Sequence, residues 1–436
     1  MALEYAHGAI QWLAADAPAV TYPVTGLSFQ PKALKFTWVG LQSATDALSG
    51  TVDLNAGVGF AVSTSSRRCI NVFSDDAAAT SACASMARDD AIACTTDAAA
   101  ADDGRLDLSA IASDGFTAIV DNSPTANITV FWEAWGGADI TNATIVDISE
   151  PSGTGDQDYT ATGFIPGAID QVVMFAGCQD SNALNTGLVE AAGMCVGFAT
   201  GRSQCVAGVN SDHASTSADT DRWGLQGECI GSIIRAGVGA GGAVQARASL
   251  TQFNAGGFRL NWAAVGITGR KYIALAIKGG GWLAGGLQIN TADVNNTSKV
   301  SGLGFLLKGV SFVTITSDES PTNFTHLHSI LTFGCASSTS SRRSMSFRDQ
   351  NSADPMEVYT GLDYDSVWIS LTSTGTINAE VDISAFDQDG FTLIVDATAS
   401  TVINTWTGWL AFGNNADRGG AKNARAKDQP MIRGPM

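Results

Sequence analysis

Short apolar runs broken by glycine, aspartate and serine turns dominate this chain, and their period is that of strands. Residues 116–121, FTAIVD, and 391–396, FTLIVD, each follow an Asp-Gly pair and read as strands entered from a turn. Phe258-Arg259-Leu260-Asn261-Trp262 alternates apolar and polar side chains, the pattern of a strand with one buried face. Val130-Phe131-Trp132 and Trp406-Thr407-Gly408-Trp409 are short, aromatic and β-prone. The stretch 75–104 is rich in alanine and aspartate and favours a helix by propensity alone. The part of the chain that matches it, 344–382, contains the strand-like Val367-Trp368-Ile369-Ser370-Leu371, so the expectation is strand in both.

That match belongs to an internal repeat, the strongest signal in the sequence. Thr25-Gly26-Leu27-Ser28-Phe29 recurs as Ser301-Gly302-Leu303-Gly304-Phe305, and Lys32 falls on Lys308. Ser63-Thr64-Ser65-Ser66-Arg67-Arg68 recurs as Ser338-Thr339-Ser340-Ser341-Arg342-Arg343, and Asp114-Gly115-Phe116-Thr117 as Asp389-Gly390-Phe391-Thr392. The aromatic run at Trp132 and Trp135 is matched to Trp406 and Trp409. A weaker middle copy keeps the order: Thr162-Gly163-Phe164, then Val196-Gly197-Phe198-Ala199 against Val58-Gly59-Phe60-Ala61, then Gly256-Gly257-Phe258. The expected architecture is all-β, with three tandem β-sandwich or jelly-roll-like domains at 24–148, 161–288 and 300–415. Polar linkers are expected near 150–158 and 290–299. An N-terminal arm, 1–23, and a basic C-terminal arm, 416–436, complete the division.

Composition narrows the partners. The formal net charge is −18 and only 15% of residues are charged, so the body repels polyanions and is not expected to bind nucleic acid. The first twenty residues lack a basic segment followed by an apolar core, and no run of 18 apolar residues occurs, so neither a signal peptide nor membrane insertion is expected. Synthesis in a cytoplasm then favours free, buried thiols for the eight cysteines. Disulfides formed after release, Cys83–Cys94 and Cys205–Cys229, are the alternative. The C-terminal stretch carries Arg418, Lys422, Arg425, Lys427 and Arg433 against Asp417 and Asp428. Without apolar periodicity it would be disordered alone. These five basic residues are therefore candidate assembly contacts to the acidic body of a neighbouring subunit.

Candidate chemistry is sparse. His326 and His328 share one side of a strand, a spacing that can hold a metal, but no third ligand accompanies them, and a surface pair is the better reading. His213 lies among Asp212, Asp219 and Asp221 without an ordered cation-loop motif. The twin arginines Arg67-Arg68 and Arg342-Arg343 suit either a carboxylate or phosphate clamp, with Arg68 and Arg343 as ligand contacts, or pairing with a local aspartate such as Asp75 or Asp76. In each tryptophan pair one ring belongs to a core and the other, Trp135 or Trp409, is a candidate ligand contact. No nucleophile elbow, HExxH or phosphate loop occurs, so no catalytic residue, cofactor or resident metal is assigned and the chain reads as non-enzymatic.

TGLSFQPKALKF, GVGFAVSTSSRR, SDGFTAIVD and the VFWEAWGG ending together resemble tandem-repeat proteins among the structural genes of tailed bacteriophages. The resemblance spans roughly 25–413. It implies a virion component, in the tail, a fibre or a head decoration, made in the host cytoplasm and assembled with other virion proteins. A homo-oligomer is expected beside it, with a trimer suggested by three similar domains. The alternative is a carbohydrate-binding adhesin or receptor-recognition protein directed at a host-surface glycan.

Overall fold

The computed structural model describes residues 2–178, 183–216, 218–234, 243–317, 328–387, 389–398 and 404–414. The fold is all-β, and every described strand lies in an antiparallel sheet. Three domains share one topology. In the first, a large sheet runs Leu3–Trp12, Ile128–Gly137, Pro31–Val39, Leu54–Ser63, Ser66–Ser74 and Cys83–Arg88 in spatial order. A small sheet of Thr21–Val24, Gly115–Asn122, Asp102–Ala112 and Ala93–Thr96 covers one of its faces. The second domain repeats the large sheet from Asn142–Ser149 to Thr220–Gln226, and the third from Gly281–Asn290 to Val358–Asp363.

The difference between the two sheets was written in the pattern of side chains. Gly115–Asn122, Gly257–Ala264 and Gly390–Thr398 alternate buried and partly exposed positions, because their outer face meets solvent. Gln171–Cys178, QVVMFAGC, is buried at every position, and so is nearly all of Ile128–Gly137. Such strands have apolar residues on both faces and need cover on both. One face packs on the small sheet of its own domain, around Phe36 and Phe116 in the first domain, Phe175 and Phe258 in the second, and Phe312 and Phe391 in the third. The other faces of the three large sheets meet in a single central core that holds Val58, Trp135, Met174, Phe198, Trp406 and Phe412 together.

Strands also cross between domains. Thr186–Leu188 of the second domain adds to the edge strand Cys83–Arg88 of the first, and Ala47–Ser49 of the first adds to Val358–Asp363 of the third. The domains are therefore a pseudo-threefold ring rather than beads on linkers.

Several expectations are corrected. Residues 1–23 are not an arm: Leu3–Trp12 pairs along its whole length with Ile128–Gly137, and Thr21–Val24 joins the small sheet. The opening strand of each domain precedes the landmark by which the repeat was recognised, so the copies run from Leu3 to Gly137, Asn142 to Lys278 and Gly281 to Asn414. The expected linkers at 150–158 and 290–299 lie inside a domain, each made of the connection between its first two strands and the start of the second, Gly155–Thr160 or Thr297–Val300. The tryptophan match also shifts. Phe36, Phe175 and Phe312 lie opposite Trp132, Ala274 and Trp409, so Trp132 corresponds to Trp409 and not to Trp406. Packing across the sheet agrees. Gly8 and Gly285 face Trp132 and Trp409, and a Cβ there would come within 2.2 and 2.3 Å of the indoles. In the second domain, where alanine replaces tryptophan, the facing residue is Val146. The C-terminal arm lies outside the described residues.

Phe116 and Phe391 are 1% and 0% exposed and pack edge-on against Trp132 and Trp409 at 5.4 and 5.6 Å. Phe116→Ala and Phe391→Ala are each expected to cost about 3–5 kcal/mol, read as a lower denaturant midpoint. Unchanged midpoints would remove these rings from the core.

Candidate functional site

The loops that follow Ser66–Ser74, Gln204–Ser211 and Arg342–Asp349 meet around the pseudo-threefold axis. The Ala77 amide donates to the Met356 carbonyl at 2.8 Å, that of Ala214 to Ser81 at 2.7 Å, and that of Ser352 to Ala218 at 2.6 Å, closing a ring through all three domains. Ala77, Ala214 and Ser352 hold φ of 62°, 61° and 61°, a left-handed conformation unfavourable by roughly 1–2 kcal/mol for a residue with a Cβ. Its repetition at one register shows that the ring contact imposes it. A second ring uses side chains: the amides of Cys83, Thr220 and Val358 donate to His213 Nδ1, Asn351 Oδ1 and Asp76 Oδ1 at 3.0, 2.9 and 3.0 Å. His213 is thus an interdomain acceptor. His328 Nδ1 accepts from the Asn351 amide at 3.0 Å, while His326 lies outside the described residues.

Ser74, Ser211 and Asp349 end the three matching strands, and their side chains meet. Asp349 Oδ2 accepts from Ser74 Oγ at 2.9 Å and from Ser211 Oγ. The carboxyl is 1% exposed, and burial raises its pKa to about 6. Further along the central core, Lys35 Nζ contacts Glu133 Oε1 at 2.7 Å, with the two side chains 2% and 7% exposed. Tyr5 and Ser311 donate to the other Glu133 oxygen, and Lys35 lies over the Phe198 ring of the second domain. Met174 and Leu275 occupy the positions of this ion pair in the second domain.

The twin arginines have divided roles. Arg67 and Arg342 pair with Asp107 and Asp382, bracing a hairpin of the large sheet to the small sheet of its own domain. Arg68 reaches Asp147 of the second domain at 2.7 Å, and the Arg343 guanidinium sits over Phe131 of the first domain at 5.3 Å and over Tyr364. Both are interdomain contacts, and neither pairs with Asp75 or Asp76. The structure also corrects the tryptophan assignment. Trp135 is 0% and Trp409 7% exposed, because the central core and the small sheet cover the two faces of the large sheet. Arg418, Lys422, Arg425, Lys427 and Arg433 lie outside the described residues.

All eight cysteines are free and buried. Burial pushes Cys178, Cys205 and Cys335 up to about 12, which removes them as nucleophiles. Two acidic groups, Asp46 with Asp363 and Asp365, and Glu380 with Asp382 and Asp396, bring carboxylates together. Backbone amides already engage Asp46 and Asp363, and Arg342 engages Asp382, so nothing beyond the carboxylates points to an ion.

No family model and no curated protein matches the chain. Among solved structures, the LG1-3 region of the laminin alpha2 chain aligns over 91% of this chain and 96% of that one, at 7% identity. Its TM-score of 0.09 carries no argument.

Removing Lys35 alone would leave Glu133 charged and buried. Lys35→Met is expected to cost about 3–5 kcal/mol, whereas Lys35→Met with Glu133→Leu, the second domain's own solution, costs less than either single change. Denaturant melts of the three variants test this, and a double variant as unstable as the sum of the singles would contradict it. Titration supplies a second expectation. Burial raises Asp349, Asp363 and Asp382 to about 6 and Glu380 to about 7. These groups protonate in the folded protein first, so they add stability at low pH that is lost as the pH rises through 6 to 7. Burial lowers His7 to about 3 and His328 to about 4; their stability is present above about 6.5 and is lost as the pH falls. The four carboxyls outweigh the two imidazoles, so the melting temperature is expected to rise as the pH falls from about 7 to about 4. Asp349→Asn should melt higher than the parent at about pH 8, with an advantage that shrinks toward pH 4.

Proposed function

We propose that this chain is a non-enzymatic structural protein of a tailed-bacteriophage particle, exposed on the virion as a single-chain pseudo-trimer and docked through its outer surfaces and its C-terminal segment. The observation that carries the reading is the closed ring of three sandwiches around one core. Every large sheet is turned inward, and the outside consists of small sheets and loops held in fixed mutual positions. Such a body presents three related surfaces at constant spacing, which suits a repeating lattice better than a reaction. The buried titratable groups serve folding: Asp349 bridges three domains and Glu133 neutralises Lys35. The phage assignment itself rests on the resemblance of the repeat. A sugar-stacking site at the paired tryptophans has no exposed ring to stand on, since Trp135 and Trp409 are buried.

Electron cryomicroscopy of intact particles is expected to show a three-lobed density for each copy on the head, neck or tail. Purified particles that lack the chain would overturn the proposal. Deleting 417–436 is expected to leave the melting temperature unchanged and to reduce incorporation into particles. A truncated chain found at full occupancy would dismiss the C-terminal segment as a docking element.

A further inference from the structure

We propose that the cleft between the first and second domains binds a neutral saccharide, an inference independent of the virion reading. The cleft measures about 470 Å³ and opens to solvent. Gln30, Ser63, Thr64, Thr141 and Asn142 line it together with the apolar Val62, Ile111 and Ala143. Its walls come from one hairpin of the first domain and the opening strand of the second.

Pseudosymmetry supplies two internal comparisons, because the same junction occurs three times and each is bridged by different side chains, here by Arg68 to Asp147. Between the second and third domains, Arg202 stands in the hairpin that matches Ser63–Ser66, and its guanidinium reaches the Leu303 carbonyl at 3.2 Å. Ser203 of that hairpin also donates to the Ala284 carbonyl, closing the gap between the domains. Between the third and first domains, His7 Nε2 contacts Ser337 Oγ and the Ser341 carbonyl, both at 3.2 Å. Opening-strand register sharpens the comparison. Tyr5, Ala143 and Trp282 lie opposite Trp135, Ile277 and Phe412, so the first–second junction alone has alanine where the others have an aromatic ring. The side chains that shape this cleft are therefore particular to the first–second junction.

The lining chemistry selects the ligand class. The one charged residue, Lys32, has its ammonium engaged by the carbonyls of Gly137 at 2.9 Å and Ile140 at 2.7 Å, so it holds the interdomain connection. No carboxylate lines the cleft to attract a cation. Asn142 Nδ2 donates to the Thr162 carbonyl and Ser63 Oγ accepts from the Ser66 amide, which leaves the Asn142 amide oxygen and the side chains of Gln30 and Thr64 to offer donors and acceptors that match the hydroxyls of a sugar. Val62, Ile111 and Ala143 suit the C–H face of a pyranose ring, and the volume falls within the range of small-ligand sites.

Saturation-transfer NMR on the full chain with maltose, cellobiose, lactose and N,N′-diacetylchitobiose tests this. At least one is expected to bind saturably with a dissociation constant of about 1 mM or tighter. Thr64→Arg, which brings in the arginine of the second-domain hairpin, and Ala143→Trp, which brings in the ring of the third domain, should each weaken it by roughly tenfold or more. Thr64 is exposed, so Thr64→Arg carries the test alone if Ala143→Trp melts early. Absence of saturable binding by all four sugars, or binding unchanged in a well-folded Thr64→Arg protein, would overturn the proposal.

Discussion

Each large sheet has two apolar faces and only one small sheet to cover them, and the rest of the structure follows from that mismatch. A strand such as Gln171–Cys178 leaves Met174 and Ala176 on the face turned away from its own sandwich. An isolated domain would expose that face to water, at a loss of about 25 cal/mol for each Å² of apolar surface. Three such faces closed on one another remove all of it at once. The central core is therefore not an interface between finished domains but a fourth core, and the sandwiches are incomplete without it. Strand exchange at Thr186–Leu188 and Ala47–Ser49 and the loop ring at Ala77, Ala214 and Ser352 follow from bringing the sheets this close.

How much of this the sequence disclosed depends on where symmetry leaves a local mark. The Asp-Gly-Phe turns, the serine-arginine hairpins and the alternating outer strands were legible because each is fixed by its own turn or by one solvent-facing side. The ring was not, because a residue buried in a sandwich and one buried at the axis look alike in composition. A clue lay in the runs without alternation, such as Val172 to Ala176, where two-sided burial rather than a single covered face is required. The opening strands escaped notice since the repeat was phased on a landmark that follows them. The tryptophan registration slipped because 18 residues separate Phe391 from Trp409 and 16 separate Phe116 from Trp132, and three residues of slip exchange the two faces of a strand. Of the site residues, Arg68 and Arg343 were recognised as special, but what they contact lies in other domains and no local spacing reveals it.

Joining the three copies in one chain permits chemistry at the axis that identical subunits cannot have. Lys35, Met174 and Ser311 share one register, and so do Glu133, Leu275 and Leu410. In a true trimer every copy would carry the lysine, placing three ammonium groups around a dry axis. Divergence keeps one lysine beside one glutamate and gives the remaining glutamate oxygen to Ser311 and Tyr5. The same holds for Ser74, Ser211 and Asp349, where a single carboxyl accepts from two hydroxyls. Three carboxyls there would repel. These asymmetric contacts fix which domain stands next to which, a specificity that hydrophobic burial alone does not provide.

The ends of the chain complete the argument for a ring. The Leu3 amide donates to Asn414 Oδ1 at 2.7 Å, and the Asp139 amide reaches the Ala2 carbonyl. Gly280 lies against the Leu3 side chain, close enough that a Cβ on the glycine would stand 2.4 Å from it. The beginning of the first domain, the end of the third and both interdomain connections therefore gather in one place. The cleft described above lies beside the connection at Thr141 and Asn142, at the hairpin end of the strand Ser66–Ser74, and Ser74 with its bridge to Asp349 lies at the other end. Nothing in the packing distinguishes the break between Asn414 and Ala2 from the short connections at 138–141 and 279–280. The body is cyclic in its contacts and linear only in its covalent order. The spacing of its outer surfaces is set by the ring.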